Sequence, residues 1–155
     1  QSRQDIAVDV VIDDPKLQEI LERTSQFANF SSSLRAMHSG PKIRGSERKQ
    51  FKFIDGSSGD VYRSILLAIR RDPRSLTFTY DNILERVREI CSSDTPTGSS
   101  ITSSLSQMEE ISLAVGGDSV LEWDEDVLTI VEPYFLFYLR CSPKIDELGA
   151  SGGLH

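Results

Sequence analysis

Three successive stretches of helical periodicity, followed by two short apolar runs, constrain the fold of this chain most strongly. Apolar residues recur at spacings of three and four in residues 60–71, 80–91 and 100–115, which is the pattern of amphipathic helices. Asp60, Thr79 and Ser100 stand where these patterns begin. Their short polar side chains can accept hydrogen bonds from the free amides of a helix start, so we predict three capped helices.

The two apolar runs, residues 120–123 and 127–131, flank the acidic tripeptide Asp124, Glu125 and Asp126. Short apolar runs on either side of a polar turn predict a β-hairpin. The last apolar segment, residues 132–140, starts with an acidic residue and a proline, which favours a helix, whereas its aromatic residues favour a strand. We interpret this segment as a helix.

The expected fold is mainly α, of the α+β class: a winged helix-turn-helix in which the hairpin forms the wing, preceded by a helical arm. We predict an N-terminal extended arm, amphipathic helix and basic linker in residues 1–52. The winged-helix domain should span residues 53–142, and residues 143–155 should form a flexible tail.

Within the N-terminal segment, residues 5–12 alternate like a short extended strand, and Asp14-Pro15 predicts a helix start. That helix should present Leu17 and Phe27 on one apolar stripe and end near Ala28-Asn29. Residues 31–52 contain a run of serines, Gly40-Pro41 and a further glycine. These residues interrupt regular structure, so we expect a linker.

With 155 residues, of which 38% are apolar, the chain can bury a core without a metal or a disulfide. We expect Cys91 and Cys141 to be buried free thiols, which indicates a reducing compartment; a disulfide between them is the less favoured alternative. No apolar run approaches the ~20 residues of a membrane-spanning helix, and no signal peptide is visible. We therefore predict a cytoplasmic protein that does not enter a membrane.

The net charge of −7 is distributed unevenly along the chain. Residues 1–88 hold 15 Lys and Arg against 12 Asp and Glu, a net charge of +3, whereas residues 89–155 hold 2 against 12, a net charge of −10. No Lys or Arg occurs between Arg88 and Arg140. The third predicted helix and the whole hairpin lie in that gap.

This gap bears on nucleic-acid binding, because a winged helix that reads a duplex needs Lys or Arg against the phosphates. Carboxylates on the third helix and the hairpin tip would instead face the phosphates, and each close repulsion costs on the order of 1 kcal/mol even in water. We therefore expect this surface to contact a protein partner rather than DNA. Its candidate residues are Thr102, Ser103, Ser106, Gln107, Trp123, Asp124, Glu125 and Asp126.

The alternative is a DNA-binding regulator that uses the basic side of the chain, within and near residues 42–52. Clusters of Lys and Arg can bind phosphate or acidic partners, but they often form a solvated linker. The candidate residues of this basic side are Lys42, Arg44, Arg48, Lys49, Lys52, Arg70 and Arg71.

Signals of catalysis are absent or incomplete in the sequence. Residues 40–46 have the glycine spacing of a phosphate-binding loop, but the lysine that should follow the second glycine is missing. Two separated cysteines and two histidines, His38 and His155, provide no zinc motif. We predict a chain that is not an enzyme and needs no cofactor or metal; a hydrolase with its site around His38, in the linker, is the third alternative.

Two motifs connect the chain to a known family. Asp60-Val-Tyr-Arg-Ser-Ile-Leu-Leu-Ala-Ile69 and Val131-Glu-Pro-Tyr-Phe-Leu-Phe-Tyr-Leu-Arg140 resemble the winged-helix domain that follows the nucleotide-binding core of prokaryotic P-loop ATPases of the STAND and archaeal type. The resemblance covers residues 59–141. The chain lacks the phosphate-binding loop of a complete family member, so ATP hydrolysis is not implied.

The resemblance implies a non-catalytic regulatory module, the C-terminal part of a larger ATPase, whose partner is its own upstream ATPase domain or a separate protein. It also implies that residues 14–37 form a helical lid on that ATPase. A homodimer is a further expectation, because the fragment can expose residues 6–12 and parts of the aromatic last helix.

Overall fold

The computed structural model describes residues 14–42 and 47–152. The predicted extended segment at residues 5–12 and the candidate residue Arg44 lie outside the described residues. The helices are α1 (Asp14–Ser39), α2 (Val61–Arg70), α3 (Tyr80–Ile90), α4 (Gly98–Gly116), α5 (Pro133–Cys141) and α6 (Lys144–Gly152). The strands are β1 (Phe51–Lys52), β2 (Ser58–Gly59), β3 (Thr77–Thr79), β4 (Leu121–Asp124) and β5 (Val127–Ile130).

Helix predominates, and the strands form two small antiparallel sheets, so the predicted mainly α, α+β class is confirmed. Strands β1 and β2 pair as a hairpin just before α2. The larger sheet has the order β3-β5-β4, with β5 in its centre. The tip between β4 and β5 turns through Glu125 and Asp126, whose φ angles are 50° and 62°. Two successive left-handed residues are typical of a tight hairpin turn.

The helix starts follow local side-chain chemistry. Asp60 accepts hydrogen bonds from the amides of Tyr62 and Arg63, and Thr79 forms a reciprocal capping box with Asn82, as the sequence predicted for both caps. The cap of α4 is Thr97 instead of the predicted Ser100. Thr97 accepts from the amide of Ser100, so the helix starts earlier than the apolar pattern indicated.

The linker predicted from residue 31 onward is wrong for the residues up to Ser39, because α1 continues to that point. Phe30, Leu34 and Met37 are all buried in the core. Their spacing of four and three places them on one face of the helix. Burial of that face outweighs the weak helix preference of the serine run between them. The helix ends before Gly40, whose φ of 71° is left-handed.

The flexible tail predicted for residues 143–155 is wrong for residues 144–152, which form α6; residues 153–155 lie outside the described residues. Ile145 is fully buried and belongs to the core. A short helix therefore forms in a segment whose small residues indicated disorder.

Both cysteines are free, as predicted, but they are not buried: Cys91 is half-buried and Cys141 is exposed. The thiol of Cys141 lies on the outer side of α5, which places it at the surface. In the described part of the chain, no helix combines the length and apolarity needed to cross a bilayer.

One continuous core holds these elements together. Helix α1 packs mainly on α4, α2 packs on α3 and α4, and the three-stranded sheet contacts α4 through β4. Helix α5 follows β5 and packs on α1 and α2. Aromatic rings reinforce the contact between α1 and α5, with the Phe30 and Phe135 rings 5.8 Å apart in an edge-to-face arrangement.

Candidate functional site

The hairpin tip carries three adjacent acidic side chains. Asp124, Glu125 and Asp126 are all exposed. None of these three carboxylates takes part in the ion pairs found among the described residues. The tip therefore presents negative charge directly to solvent.

The neighbouring face of α4 is polar but less open than the sequence predicted. Ser103 and Ser106 are exposed, whereas Thr102 and Gln107 are half-buried. None of these four side chains carries a charge. They can hydrogen-bond to a partner but cannot neutralise a phosphate.

Two side chains beside this surface play a structural part. Glu109, a carboxylate of α4, is half-buried, and its Oε1 accepts a hydrogen bond of 2.8 Å from the amide of Trp123. Trp123 is itself half-buried against the core. Glu109 thus fastens β4 to α4, which fixes the hairpin relative to the helix.

The basic side is largely engaged in contacts within the chain. Arg48 forms an ion pair of 2.8 Å with Asp60 and donates to the carbonyl oxygens of Pro41 and Ser39. Lys49 pairs with Asp94 at 2.9 Å, although both side chains are mostly exposed. Lys42 and Lys52 are exposed and have no ion pair among the described residues.

The two remaining basic candidates, Arg70 and Arg71, lie apart from this cluster, at the end of α2 and just beyond it. Arg70 contacts Asp146 and Arg71 contacts Glu89, each at 3.4 Å. The basic candidates that the structure describes therefore do not form one open cationic surface.

An apolar groove beside α5 is a site that the sequence analysis did not identify. It encloses about 520 Å³ between α5 and the residues that precede β3. Phe137 and Leu76 line it and are 56% and 40% exposed. The groove is lined by Arg74, Ser75, Leu76, Pro133, Leu136, Phe137, Arg140 and Cys141.

Two arginines give this groove a cationic rim. Arg140 is held by hydrogen bonds to Asp72 at 2.7 Å and to the carbonyl of Arg70 at 2.8 Å, whereas Arg74 is exposed and has no ion pair among the described residues. The apolar run at residues 134–139 was the signal in the sequence that could have revealed this groove. Because a helix buries only one face against a core, a helix that is apolar on all sides must expose some apolar side chains. Phe137 points away from the face that buries Phe135 and Leu139.

A second arrangement that the sequence analysis missed is centred on Arg63, whose side chain is almost completely buried. Its guanidinium donates to the carbonyl of Ile145 at 2.9 Å, to Nε2 of His38 at 3.2 Å and to Oγ of Ser57 at 3.0 Å. Asp55 lies 4.0 Å away. One side chain thus connects α1, the β1–β2 hairpin, α2 and α6.

Glycine makes the approach of α6 to this arginine possible. A Cβ atom built on Gly149 would lie 2.6 Å from Cζ of Arg63, which is well inside van der Waals contact. In the sequence, Arg63 was only a polar residue within the apolar pattern of the second helix, so its partners could not be identified.

His38 lies in α1, not in a linker, and is half-buried against Arg63. Burial, assisted by the positive charge of Arg63 and opposed by Asp60, lowers the pKa of His38 from 6.5 to about 4. The imidazole is therefore neutral near pH 7, with Nε2 accepting from the guanidinium. This contact makes His38 part of the packing around Arg63.

The lowered pKa of His38 predicts acid sensitivity in a defined window. Between pH 6.5 and about 4, the unfolded chain binds a proton at His38 and the folded chain does not. Stability contributed by this residue is therefore complete above pH 6.5 and declines as the pH falls, by on the order of 3 kcal/mol in total. Urea unfolding at pH 7, 6, 5 and 4 should show this decline in the wild type and a weaker one in His38→Gln. Equal pH dependence in the two proteins would contradict the assignment.

Within the described residues, no group of three or more His, Cys, Asp or Glu side chains is arranged to hold a metal ion. No protein-family model matches the chain, and comparisons with curated proteins and with solved structures give no match.

Proposed function

We propose that this chain is a non-catalytic winged-helix module that regulates a protein partner by binding it. The observation that carries the proposal is the exposed, unpaired negative charge of the hairpin tip, whose strand β4 packs on a helix, α4, that itself contains no Lys or Arg. On a winged helix these are the surfaces that would approach DNA. A polyanion would meet carboxylates there, whereas a protein can supply complementary charge.

The arrangement of the elements supports a winged-helix fold. Helices α2, α3 and α4 pack on one another, and the β4–β5 hairpin follows directly after α4. Strand β3, between α2 and α3, joins that hairpin as a third strand. In this interpretation α4 is the third helix and the β4–β5 turn is the tip of the wing.

The groove beside α5 supplies a second candidate contact surface. Contiguous exposed apolar groups with a charged rim are typical of protein interaction sites. From the resemblance to ATPase-associated modules, we propose the upstream ATPase domain as the occupant of the groove, α1 as the helical lid and the cytoplasm as the compartment. A separate protein or a second copy of the chain is the alternative occupant.

A charge-reversal experiment tests the proposal. The triple variant Asp124→Lys, Glu125→Lys, Asp126→Lys and the matched control Asp81→Lys, Glu85→Lys, Glu147→Lys change the net charge equally. Because the first removes repulsion from the wing tip, it should raise the affinity for a 20-base-pair duplex at least tenfold more than the control does. Fluorescence anisotropy measures both affinities.

Two results would contradict the proposal. Equal gains in the two variants would show that the hairpin tip does not lie where a duplex approaches. Tight duplex binding by the wild type that is lost in Ser103→Ala with Gln107→Ala would show that α4 reads DNA.

A DNA-binding regulator that uses the basic side remains the second candidate, favoured by the exposed side chains of Lys42 and Lys52. Its test is charge reversal to Glu at Lys42, Arg44, Lys49 and Lys52. Unchanged affinity for the duplex would remove this candidate.

A further inference from the structure

A pocket of about 360 Å³ opens beside the first two turns of α4, and it shares no lining residue with the hairpin tip or with the groove beside α5. The first turns of α4 form one wall of this pocket through Thr97, Ser100, Ser103 and Ser104. Arg48 and Lys49 line it as well, together with an apolar floor. The pocket therefore combines hydroxyl groups, a helix N-terminus and cations.

The helix end itself favours a negatively charged ligand. Helix α4 has 19 residues, and no acidic residue occurs in its first turn. Its cap is the neutral hydroxyl of Thr97, which accepts from the amide of Ser100 at 3.2 Å. The first amides of a helix have no partner within the helix, and the helix dipole places partial positive charge at this end.

An independent sign of a ligand site is Ser104, which lines the pocket and is only 4% exposed. Among the residues that the structure describes, its hydroxyl has no hydrogen-bond partner. Of the other buried serines, Ser64 and Ser112 donate to the carbonyls of Val61 and Glu109, whereas Ser33 has no partner among the described residues and lines none of the pockets discussed. Leaving a buried hydroxyl unpaired is costly, so a group that enters the pocket and accepts from Ser104 would be favoured.

The charges around the pocket divide into a fixed pair and an exchangeable pair. Arg48 is fixed by Asp60 and lies over the Tyr62 ring at 5.0 Å, so its charge is largely compensated. Lys49 pairs with Asp94, but their side chains are 64% and 70% exposed. Exposed pairs of this kind are weak, which leaves Lys49 able to turn to a stronger anion.

We propose that this pocket binds a phosphate group, either as inorganic phosphate or as the ester of a small molecule. Ser100 and Ser104 donate hydrogen bonds to its oxygens, the first two turns of α4 flank it, and Lys49 leaves Asp94 to pair with it. The apolar floor formed by Phe51, Val61 and Tyr62 accommodates the organic group of a phosphate ester. This inference does not depend on the proposed contact with a protein partner.

A titration followed by ¹H–¹⁵N correlation spectra of the whole chain tests the proposal with inorganic phosphate, AMP and adenosine. Phosphate and AMP should shift the amide signals of residues 98–101, whereas adenosine, which lacks the phosphate, should not. Tighter binding of AMP identifies an ester as the preferred form, and equal binding identifies the free anion. No saturable shift with either phosphate compound at 10 mM (roughly the weakest affinity of practical meaning), or equal shifts with adenosine, overturns the proposal.

The variant Ser104→Ala separates binding from folding, with Ser106→Ala as the matched control on the exposed face of α4. Removing an unpaired hydroxyl should leave the thermal midpoint of the free protein unchanged or higher. The same change should weaken binding of the tighter ligand about tenfold, because a hydrogen bond to a charged group is lost. Equal affinity in Ser104→Ala and Ser106→Ala would overturn the assignment.

Discussion

The variant Arg63→Ala should lose about 3–5 kcal/mol of folding free energy, one of the two largest effects expected in this protein. The substitution removes a buried guanidinium and leaves a cavity where α1, α2 and α6 meet. It also leaves the carbonyl of Ile145 and Nε2 of His38 without their donor. Chemical unfolding followed by circular dichroism measures the loss.

Two further variants show which part of Arg63 matters. Arg63→Met fills much of the same space but donates no hydrogen bond. It should therefore be less destabilising than Arg63→Ala, and its free energy of unfolding should still be clearly below that of the wild type. Arg88→Ala is the matched control: Arg88 is exposed on α3 and has no ion pair among the described residues. It should change stability by less than about 0.5 kcal/mol. Equal stability of Arg63→Ala and Arg88→Ala would contradict the buried arrangement.

The variant Leu34→Ala should destabilise the protein by about 2.7–5 kcal/mol, the range measured for fully buried leucines. Leu34 lies in the C-terminal half of α1, and its side chain is completely buried in the core. The loss combines reduced apolar burial with a cavity that the surrounding helices fill only in part. Urea unfolding monitored by tryptophan fluorescence provides the measurement, since Trp123 packs against the same core.

The neighbouring substitution Arg35→Ala is the control for this position. Arg35 is exposed on the other side of α1, and alanine has the higher helix propensity, so stability should change little. A linker at residues 31–39 would give small effects for both variants. Such a result would contradict the extended α1.

Local chemistry explains which elements could be predicted from the sequence. The caps at Asp60 and Thr79 and the hairpin around Asp124–Asp126 depend on residues close together in the chain. For the same reason the helix after Glu132-Pro133 was identified despite its aromatic residues. In these places the preference of the segment and its final environment agree.

The errors arose where distant residues determine the structure. The serines after residue 30 favour a loop by themselves, and only the burial of Leu34 and Met37 against α4 and the core makes that segment helical. Likewise α6 is stabilised by Ile145 in the core and by the contact of its backbone with Arg63. Neither contact leaves a periodic signal in the sequence.

The candidate surfaces show the same difference between features set by neighbouring residues and features set by distant contacts. The negative charge of the hairpin tip could be predicted because a tight turn must expose its side chains. The groove beside α5 could not, since it requires Leu76 and Phe137 to meet across the gap between β3 and α5. The compensation of Arg48 by Asp60 depends on the fold in the same way.

The salt dependence of duplex binding by the wild-type chain tests the central claim most directly, namely that the β4–β5 hairpin and α4 repel a polyanion. Each phosphate neutralised by a protein cation contributes a slope of about −0.9 to the logarithm of the association constant against the logarithm of salt concentration. We predict a dissociation constant weaker than ~100 μM at physiological salt, with a slope close to zero. Submicromolar binding with a slope of about −4 or steeper, lost on substitution of Ser103 and Gln107, would contradict the account.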